Sequence, residues 1–307
     1  MTSAGTERFF SIGKNITYSG GRNRSRLKLV AIVVTMRFFP ATIGLTLAFS
    51  GAMVGASIVP VSHLEATALA VFQDYTSKFE QRVSAPFTAS GKLFIDDDHS
   101  GKHKDFDAGR PIVEARENQD IRNGSIHHYS GIIRVPGGTI GQVRHVMQDY
   151  SQYPVYFRPD VARGSGLVQP DSTPEDEHYL SRLFLTESTI WIDVAYDAQY
   201  DSHYRRIDVN RWTSHSTTVS IRELLDAKKL DGGSFPEGED HGFLWRTNNY
   251  WFARERDGGL DLQVDSMTLS RTTPLGFGWW GNKRTHDAVE KMLRDMKGAV
   301  ENLHVKS

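Results

Sequence analysis

The stretch 240–280, DHGFLWRTNNYWFARERDGGLDLQVDSMTLSRTTPLGFGWW, decides the fold. It contains two β-rich runs, 242–256 and 260–271, which are joined by Asp257-Gly258-Gly259. Asp-Gly between two such runs is typical of a tight hairpin, because the turn needs positive φ. Pro274 and the glycines after it end the second strand, and the chain from about residue 283 onwards has the pattern of a helix. We therefore predict a long hairpin, a short crossing and one long C-terminal helix laid over a curved sheet.

The composition is that of a globular protein with an acidic body. The chain has 307 residues, of which 39% are hydrophobic and 11% aromatic, enough for a sizeable core. Residues 1–60 carry seven Lys and Arg and one acidic residue (net +6), so the other 29 basic and 36 acidic residues give −7. Nucleic-acid binding needs clustered positive charge. The sequence therefore predicts no nucleic-acid partner.

Residues 1–60 have the outline of an export signal. Basic residues from Arg22 to Arg37 precede the apolar run 38–61, and Val54-Gly55-Ala56 offers small residues for cleavage before Ser57. Met36 is an alternative start that gives the signal ordinary proportions. The run is also long enough to be an uncleaved membrane anchor. We expect a periplasmic or secreted protein, or one that associates with a membrane through this segment, and the absence of cysteine is compatible with export.

The remaining chain predicts a helical extension over 61–124 and a larger domain over 125–307. Apolar residues recur at spacings of three and four over 64–83, which predicts an amphipathic helix. A strand over 125–135 is followed by a short helix that Thr139 caps and by a second short helix or turn. Antiparallel strands then follow over 161–168, 179–186, 191–204, 212–224 and the two arms of the hairpin.

This order of elements resembles the START-like superfamily, also called SRPBCC or Bet v 1-like, which includes polyketide cyclases and lipid carriers. Segments 128–160 and 241–278 are similar to a bacterial family of exported START-like proteins, with GFLWRTNNYW (242–251) and LSRTTPLGFGW (269–279) as the strongest motifs. The resemblance covers about two thirds of the chain. It implies an α+β helix-grip fold with a cavity between the sheet and the C-terminal helix, and no fixed catalytic set.

The sequence contains no motif that specifies a reaction. It lacks a G-x-S-x-G nucleophile elbow, a phosphate loop, a dinucleotide fingerprint and HExxH. His127 and His128 are adjacent on a strand and must point to opposite faces. The acidic and basic residues over 96–105 are interpreted as a solvated loop. The sequence therefore leaves the catalytic residues unknown, and we predict no metal site and no cofactor.

The faces of the hairpin decide which residues line the predicted cavity. A two-residue turn pairs Trp251 with Val264 and Arg254 with Asp261. We expect the second pair to lie in water, because burial would cost several kcal/mol per ion. The opposite face then lies toward the C-terminal helix. The predicted ligand-binding residues on this side are Tyr196, Tyr200, Trp212, Trp245, Thr247, Asn249, Trp251, Val264, Ser266, Met292 and Met296.

The other face of the hairpin carries an apolar patch that a monomer would not leave bare, formed by Tyr250, Phe252, Met267 and Leu269. We predict that helix 64–83, or the segment after it, covers part of this patch. Two alternatives stay open. The tryptophans fill an ordinary core, or Arg246, Tyr250 and Asp265 face the cavity as a polar site for a ligand head group.

Three functions fit this pattern. The first is binding or transport of an apolar or amphipathic small molecule, such as a lipid, isoprenoid or aromatic metabolite. The second is a cyclase or aromatase type of enzyme, in which Tyr196, Tyr200, Asn249 and Arg246 would orient a reactive chain. The third is a module that holds a partner protein through helix 64–83. The sequence does not identify the ligand or the oligomeric state.

Overall fold

The computed structural model describes residues 59–97, 101–188, 193–272 and 278–304, and the side chains of α5 from Lys283 to Leu303. The predicted export signal or anchor lies almost wholly outside these residues, and so does the predicted crossing at Pro274. No helix in the described part of the chain is long and apolar enough to cross a membrane.

The described residues form five α-helices and eight strands. The helices are α1 (Ala66–Ser90), α2 (His103–Asp107), α3 (Ile140–Gln148), α4 (Tyr153–Tyr156) and α5 (Gly278–His304). The strands are β1 (Ile112–Ile121), β2 (Gly124–Pro136), β3 (Val161–Val168), β4 (Asp176–Ser188), β5 (Asp193–Arg206), β6 (Arg211–Glu223), β7 (Arg246–Arg256) and β8 (Gly259–Ser270). Thr139 caps α3 through a capping box with Gln142, as its position before the helix predicts.

The strands form one curved antiparallel sheet in the order β1-β2-β8-β7-β6-β5-β4-β3. The β7–β8 hairpin turns at Asp257 and Gly258, whose φ angles are 50° and 67°. This two-residue turn sets the register, so that Trp251 lies opposite Val264 and Arg254 opposite Asp261. The predicted hairpin and its register are confirmed.

β1 is a strand that the sequence analysis did not predict. It precedes Ser125, where the predicted domain begins, and it pairs with β2 through a turn at Arg122 and Asn123. Most of its residues are charged or polar and at least partly exposed. An edge strand of this kind lacks the apolar alternation by which strands are recognised. The two short helices therefore follow the second strand rather than the first.

The inner face of the sheet is covered by α5 together with α3 and α4. Val289, Leu293 and Met296 of α5 pack against Trp251 and Val264 in a continuous buried core. The helix approaches β2 closely at Gly131. A Cβ atom at this position would lie 2.7 Å from Leu293 Cδ1 and 2.8 Å from Val289 Cγ1. The absence of a side chain at residue 131 therefore lets α5 sit on the sheet.

The part of the outer face formed by β2, β7 and β8 is covered by α1 and the segment that follows it, as predicted. Phe72, Phe79 and Phe87 pack in a second buried core with Tyr250 and other outer-face residues, among them Phe252, Met267 and Leu269. Tyr250 Oη donates a hydrogen bond to Glu80 Oε1 at 2.6 Å. This part of the sheet therefore lies between two helical layers.

The alternative that placed Tyr250 and Asp265 in an inner head-group site is wrong. Asp265 is buried on the outer face, where His128 Nε2 lies 3.2 Å from its Oδ1 and Gln263 Nε2 donates to its Oδ2 at 2.7 Å. Arg246 forms an ion pair with Glu237 of the loop before β7 at 2.7 Å. The hairpin alternation keeps Trp251 on the inner side, where it is buried.

Three acidic residues form ion pairs in the structure, and two of them are buried. Asp261 is fully buried beside Arg134 and Arg254. Asp197 of β5 is buried and accepts hydrogen bonds from Arg182 at 2.7 and 2.9 Å. Asp96, expected in a solvated loop, lies in a 3₁₀ turn and accepts a 2.7 Å hydrogen bond from Arg254.

Candidate ligand-binding site

The inner face of the sheet has two apolar zones. The first is the packed core beneath α5, which contains Trp251 and Trp212. The second lies toward the β4–β6 side and is built around Tyr196, Tyr200 and Ile221, with Phe243 of the loop before β7 packed against it. The two zones are separate buried clusters that share only the partly buried Leu183 at their margins.

A band of polar side chains, here called the polar belt, crosses the inner face beside these zones. It consists of two neighbouring cross-strand rows, because residues directly opposite each other in a sheet share a face. One row runs through Ser202, Ser216, Asn249, Ser266 and Tyr129. The other contains Thr218, Thr247 and Thr268.

Two polar atoms on the inner face are buried and have no hydrogen-bond partner among the described residues. They are the hydroxyl oxygen of Tyr196 and Oδ1 of Asn249. Other polar atoms nearby are paired, as in the 2.8 Å hydrogen bond between Ser202 Oγ and Ser216 Oγ. Buried polar groups are nearly always hydrogen-bonded, so the exceptions point to a strained or functional position.

Burial also suppresses ionisation of the tyrosines here. It raises the pKa of Tyr200 above its usual value of 10.0. Burial raises the pKa of Tyr196 well above 10.0 too, and the negative charges of Glu223 and Asp240 add to the effect. Both side chains therefore stay neutral at physiological pH and offer hydroxyl groups that can donate or accept hydrogen bonds.

The first half of α5 approaches this part of the sheet. Arg284 of α5 forms an ion pair with Glu187 of β4, and the ring of His286 lies edge-on to Tyr129 at a centroid distance of 6.2 Å. Burial lowers the pKa of Arg284 below its usual value. A guanidinium group therefore stands at the side of the inner face that Tyr196 and Tyr200 occupy.

The predicted site residues fall into four places. Trp212, Trp251, Val264 and Met296 are buried in the packed core, with Met292 at its margin. Tyr196 and Tyr200 form the second zone. The alternation of β7 and β8 places Thr247, Asn249 and Ser266 in the polar belt. Only the eleventh residue, Trp245, is elsewhere.

The prediction that Trp245 faces the inner side is wrong. Trp245 packs in the outer core with Leu269, and its indole Nε1 donates to Asp240 Oδ1 at 3.1 Å. It precedes β7, and Gly242 just before it has a φ of 71°, so strand alternation does not extend to it. Trp245 is therefore not part of the candidate ligand-binding site.

A buried acidic group near Tyr196 was missed by the sequence analysis. Glu223 lies opposite Tyr196 across β5 and β6, and its Oε1 is 2.5 Å from Nδ1 of His241. Asp240 is fully buried, and burial raises its pKa from 3.8 to about 6. Asp240 and His241 are adjacent in the sequence, but the contact of His241 with Glu223 of β6 depends on the path of the loop before β7.

The outer face carries two clefts beside the 224–245 loop. One, of about 510 Å³, is lined by residues that include Arg222, Phe235 and Glu237. The other, of about 320 Å³, is lined by residues that include Arg182, Asp197 and Arg222. The strand alternation that puts Tyr196 on the inner face puts Asp197 on the opposite one. These clefts are therefore distinct from the polar belt.

The architecture defines a class of protein. A long antiparallel sheet whose inner face is covered by a C-terminal helix, with short helices between an early strand and the remaining strands, is the helix-grip fold expected from the START-like resemblance. No family model and no curated protein matches the sequence.

Several solved structures are similar to the chain. A STAR-related lipid transfer protein from Xanthomonas axonopodis shares 14% identity, with 62% of this chain and 98% of that chain covered and a TM-score of 0.41. Human StAR-related lipid transfer protein 5 shares 12% identity over 78% of this chain and 100% of its own, with a TM-score of 0.41. The Zhui aromatase/cyclase from Streptomyces sp. R1128 shares 12% identity over 57% and 94%, with a TM-score of 0.32. At such identities, the chemistry of the site must come from this chain's own residues.

Proposed function

We propose that the protein binds an amphipathic small molecule against the inner face of its sheet, between the polar belt and the first half of α5. The ligand would place its apolar body against Tyr200 and Ile221 and its polar end on the belt. A lipid, an isoprenoid alcohol or an aromatic metabolite has this combination of groups. Transport of such a molecule is a natural extension of binding.

The observation that carries the proposal is the pair of unpartnered buried atoms, Tyr196 Oη and Asn249 Oδ1. Leaving a buried polar atom unpaired costs about 1–3 kcal/mol. Cores built only for stability avoid this cost. A ligand that bonded to either atom would remove it, which is how a few polar groups fix orientation in otherwise apolar sites.

Arg284 lies near the polar end of the proposed ligand but gives no advantage to an anionic group. Its guanidinium is already paired with Glu187, so a ligand carboxylate would have to share or exchange this partner. Neutral alcohols would need no such exchange. We therefore expect long-chain alcohols and ketones to bind at least as well as the corresponding acids.

Native mass spectrometry of the purified chain, combined with titration of farnesol, palmitate and an anilinonaphthalenesulfonate dye, tests the proposal. We expect a bound species that survives desalting or a saturable fluorescence change. Two matched variants test where the ligand binds. Tyr196→Phe removes the unpartnered hydroxyl and should weaken binding about 2- to 10-fold, the worth of one hydrogen bond, without loss of stability.

Tyr204→Phe is the control, because the Tyr204 hydroxyl already bonds to Tyr150 and to the Met147 carbonyl. It should lower the free energy of unfolding by about 1 kcal/mol and leave affinity unchanged. Absence of any bound ligand in all three titrations would exclude the proposal. Equal effects of the two variants on affinity would place the ligand elsewhere.

One observation favours a second candidate, an enzyme of the cyclase or aromatase type. The Glu223–His241 contact pairs a carboxylate with an imidazole beside Tyr196, and such pairs serve as general acids and bases. A reactive polyketone or isoprenoid chain held against Tyr196 would lie near this pair. If turnover is found, His241→Gln should lower kcat with little change in substrate affinity, whereas binding without turnover across such chains argues for a carrier.

A further inference from the structure

A group of side chains that could bind a metal ion lies on the outer face, at the β4–β5 pair. His178 of β4 stands directly opposite His203 of β5, and Asp201 lies two residues before His203 on the same face. One nitrogen from each histidine and one oxygen of Asp201 all lie within 4.8 Å of one another. The sequence could not reveal this group, because it depends on the register of two strands.

Both histidines are flanked by carboxylates on both ring nitrogens. His178 Nδ1 is 2.6 Å from Asp171 Oδ1, and its Nε2 is 2.9 Å from Asp201 Oδ1. His203 Nδ1 is 3.1 Å from Asp176 Oδ1, and its Nε2 is 3.5 Å from the same oxygen of Asp201.

This arrangement needs positive charge between the imidazoles and Asp201. A neutral imidazole has one N–H, so one of its two nitrogens would direct a lone pair at a carboxylate oxygen. Either a second proton or a metal cation removes the conflict. Asp171, Asp176 and Asp201 carry three negative charges, and Arg205, which bonds to Asp176 at 3.0 Å, supplies one positive charge. A divalent cation would balance the remaining two.

We propose that His178, His203 and Asp201 bind a divalent transition-metal ion such as Zn²⁺. Two imidazole nitrogens and one carboxylate oxygen are a common ligand set for this ion, with a fourth position left for water. Asp171 and Asp176 hold the Nδ1 atoms, as carboxylates do behind metal-bound histidines. The imidazole rings are stacked at 4.3 Å and 11°, so binding requires their Nε2 edges to turn toward each other.

The site is open to ions in solution, since the side chain of Asp201 is 40% exposed and that of His203 is 29% exposed. It lies on the opposite face of the sheet from the polar belt. The proposal therefore stands or falls independently of small-molecule binding on the inner face.

Isothermal titration of the full chain with Zn²⁺ tests the proposal, after EDTA treatment and without an affinity tag. Titration with Co²⁺ adds a visible spectrum that reports the ligand geometry. We expect one tight equivalent per chain, lost in His178→Gln and in Asp201→Asn. Asp176→Asn should weaken affinity about 10- to 100-fold, as removal of a carboxylate behind a metal-bound histidine does.

His215→Gln is the matched control, because His215 stacks on His203 at 4.9 Å but is outside the three-ligand group. It should keep the tight equivalent, and circular dichroism checks that each variant is folded. A tight equivalent that survives in His178→Gln would show an adventitious ion and overturn the assignment. The assignment would also be overturned if no stoichiometric binding were found and nitrogen NMR showed two imidazolium rings. A second proton on each ring, rather than a metal ion, would then supply the positive charge.

Discussion

Asp261 is fully buried, and its Oδ2 lies 3.0 Å from Nη2 of Arg254 across the β7–β8 hairpin. Arg134 approaches the other oxygen at 2.6 Å, and Arg256 also contacts this carboxylate. One buried acid therefore holds three guanidinium groups. The expectation that Arg254 and Asp261 lie in water was wrong, although the face it assigned to Trp251 was right.

Asp261→Asn should lower the free energy of unfolding by about 3–5 kcal/mol, because removal of one partner leaves buried charge uncompensated. Chemical denaturation at neutral pH measures the loss. Asp257→Asn is the control, since Asp257 lies in the exposed turn and asparagine tolerates its positive φ. Its effect should stay within about 0.5 kcal/mol. A loss below 1 kcal/mol for Asp261→Asn would mean that water replaces the carboxylate.

Gly131→Ala should loosen α5. The new Cβ would collide with Val289 Cγ1 and Leu293 Cδ1, and overpacking of this kind costs about 1–3 kcal/mol. Val289→Ala alone should also destabilise the protein, because it leaves a cavity. The double variant should be more stable than the sum of the two losses predicts, since each change makes room for the other. Strictly additive losses would show that Gly131 does not set the position of α5.

The elements that sequence reasoning identified are those whose pattern is local. Asp257-Gly258 specifies its turn, Thr139 its capping box, and the apolar stripes of α1 and α5 their buried faces. β1 was missed because a polar edge strand has no such pattern. The burial of Asp261 was missed because it depends on Arg134, a residue more than a hundred positions away that only the sheet brings near.

The same distinction between local patterns and contacts between distant elements applies to the residues of the candidate site. Strand alternation predicted the inward side of Tyr196, Tyr200, Asn249 and Ser266, since their position follows from residues next to them. It failed for Trp245, which precedes the strand. Glu223 with His241, and His178 with His203, are contacts between elements, and their existence depends on loop path and strand register that no local pattern contains.

The cover that α1 gives to the outer face is a testable part of the core. Phe79 is buried against His128 and Tyr250, with ring centroids 5.0 and 5.1 Å away. Phe79→Ala should lower the free energy of unfolding by about 3–5 kcal/mol. Val71→Ala, at a position 43% exposed on the same helix, should change it by less than about 0.5 kcal/mol. If both changes were neutral, α1 would be a detachable segment, as in a module that holds a partner.

Asp240 should make stability depend on pH between about 4 and 6. Burial raises its pKa from 3.8 to about 6, so the folded chain binds the proton more tightly than the unfolded chain does. The stability that this proton contributes is complete below pH 4 and is lost as the pH rises through 6. The loss amounts to about 3 kcal/mol at neutral pH, at 1.36 kcal/mol per pKa unit.

Asp240→Asn keeps an oxygen that can accept from Gly242 and Trp245 and removes the buried charge. Relative to the unmodified chain, this variant should gain about 3 kcal/mol of stability between pH 4 and pH 7.5. Urea denaturation of both proteins at several pH values measures the difference, with Asp257→Asn as the exposed control. A difference that does not change with pH would show that Asp240 ionises in the folded protein as it does in water.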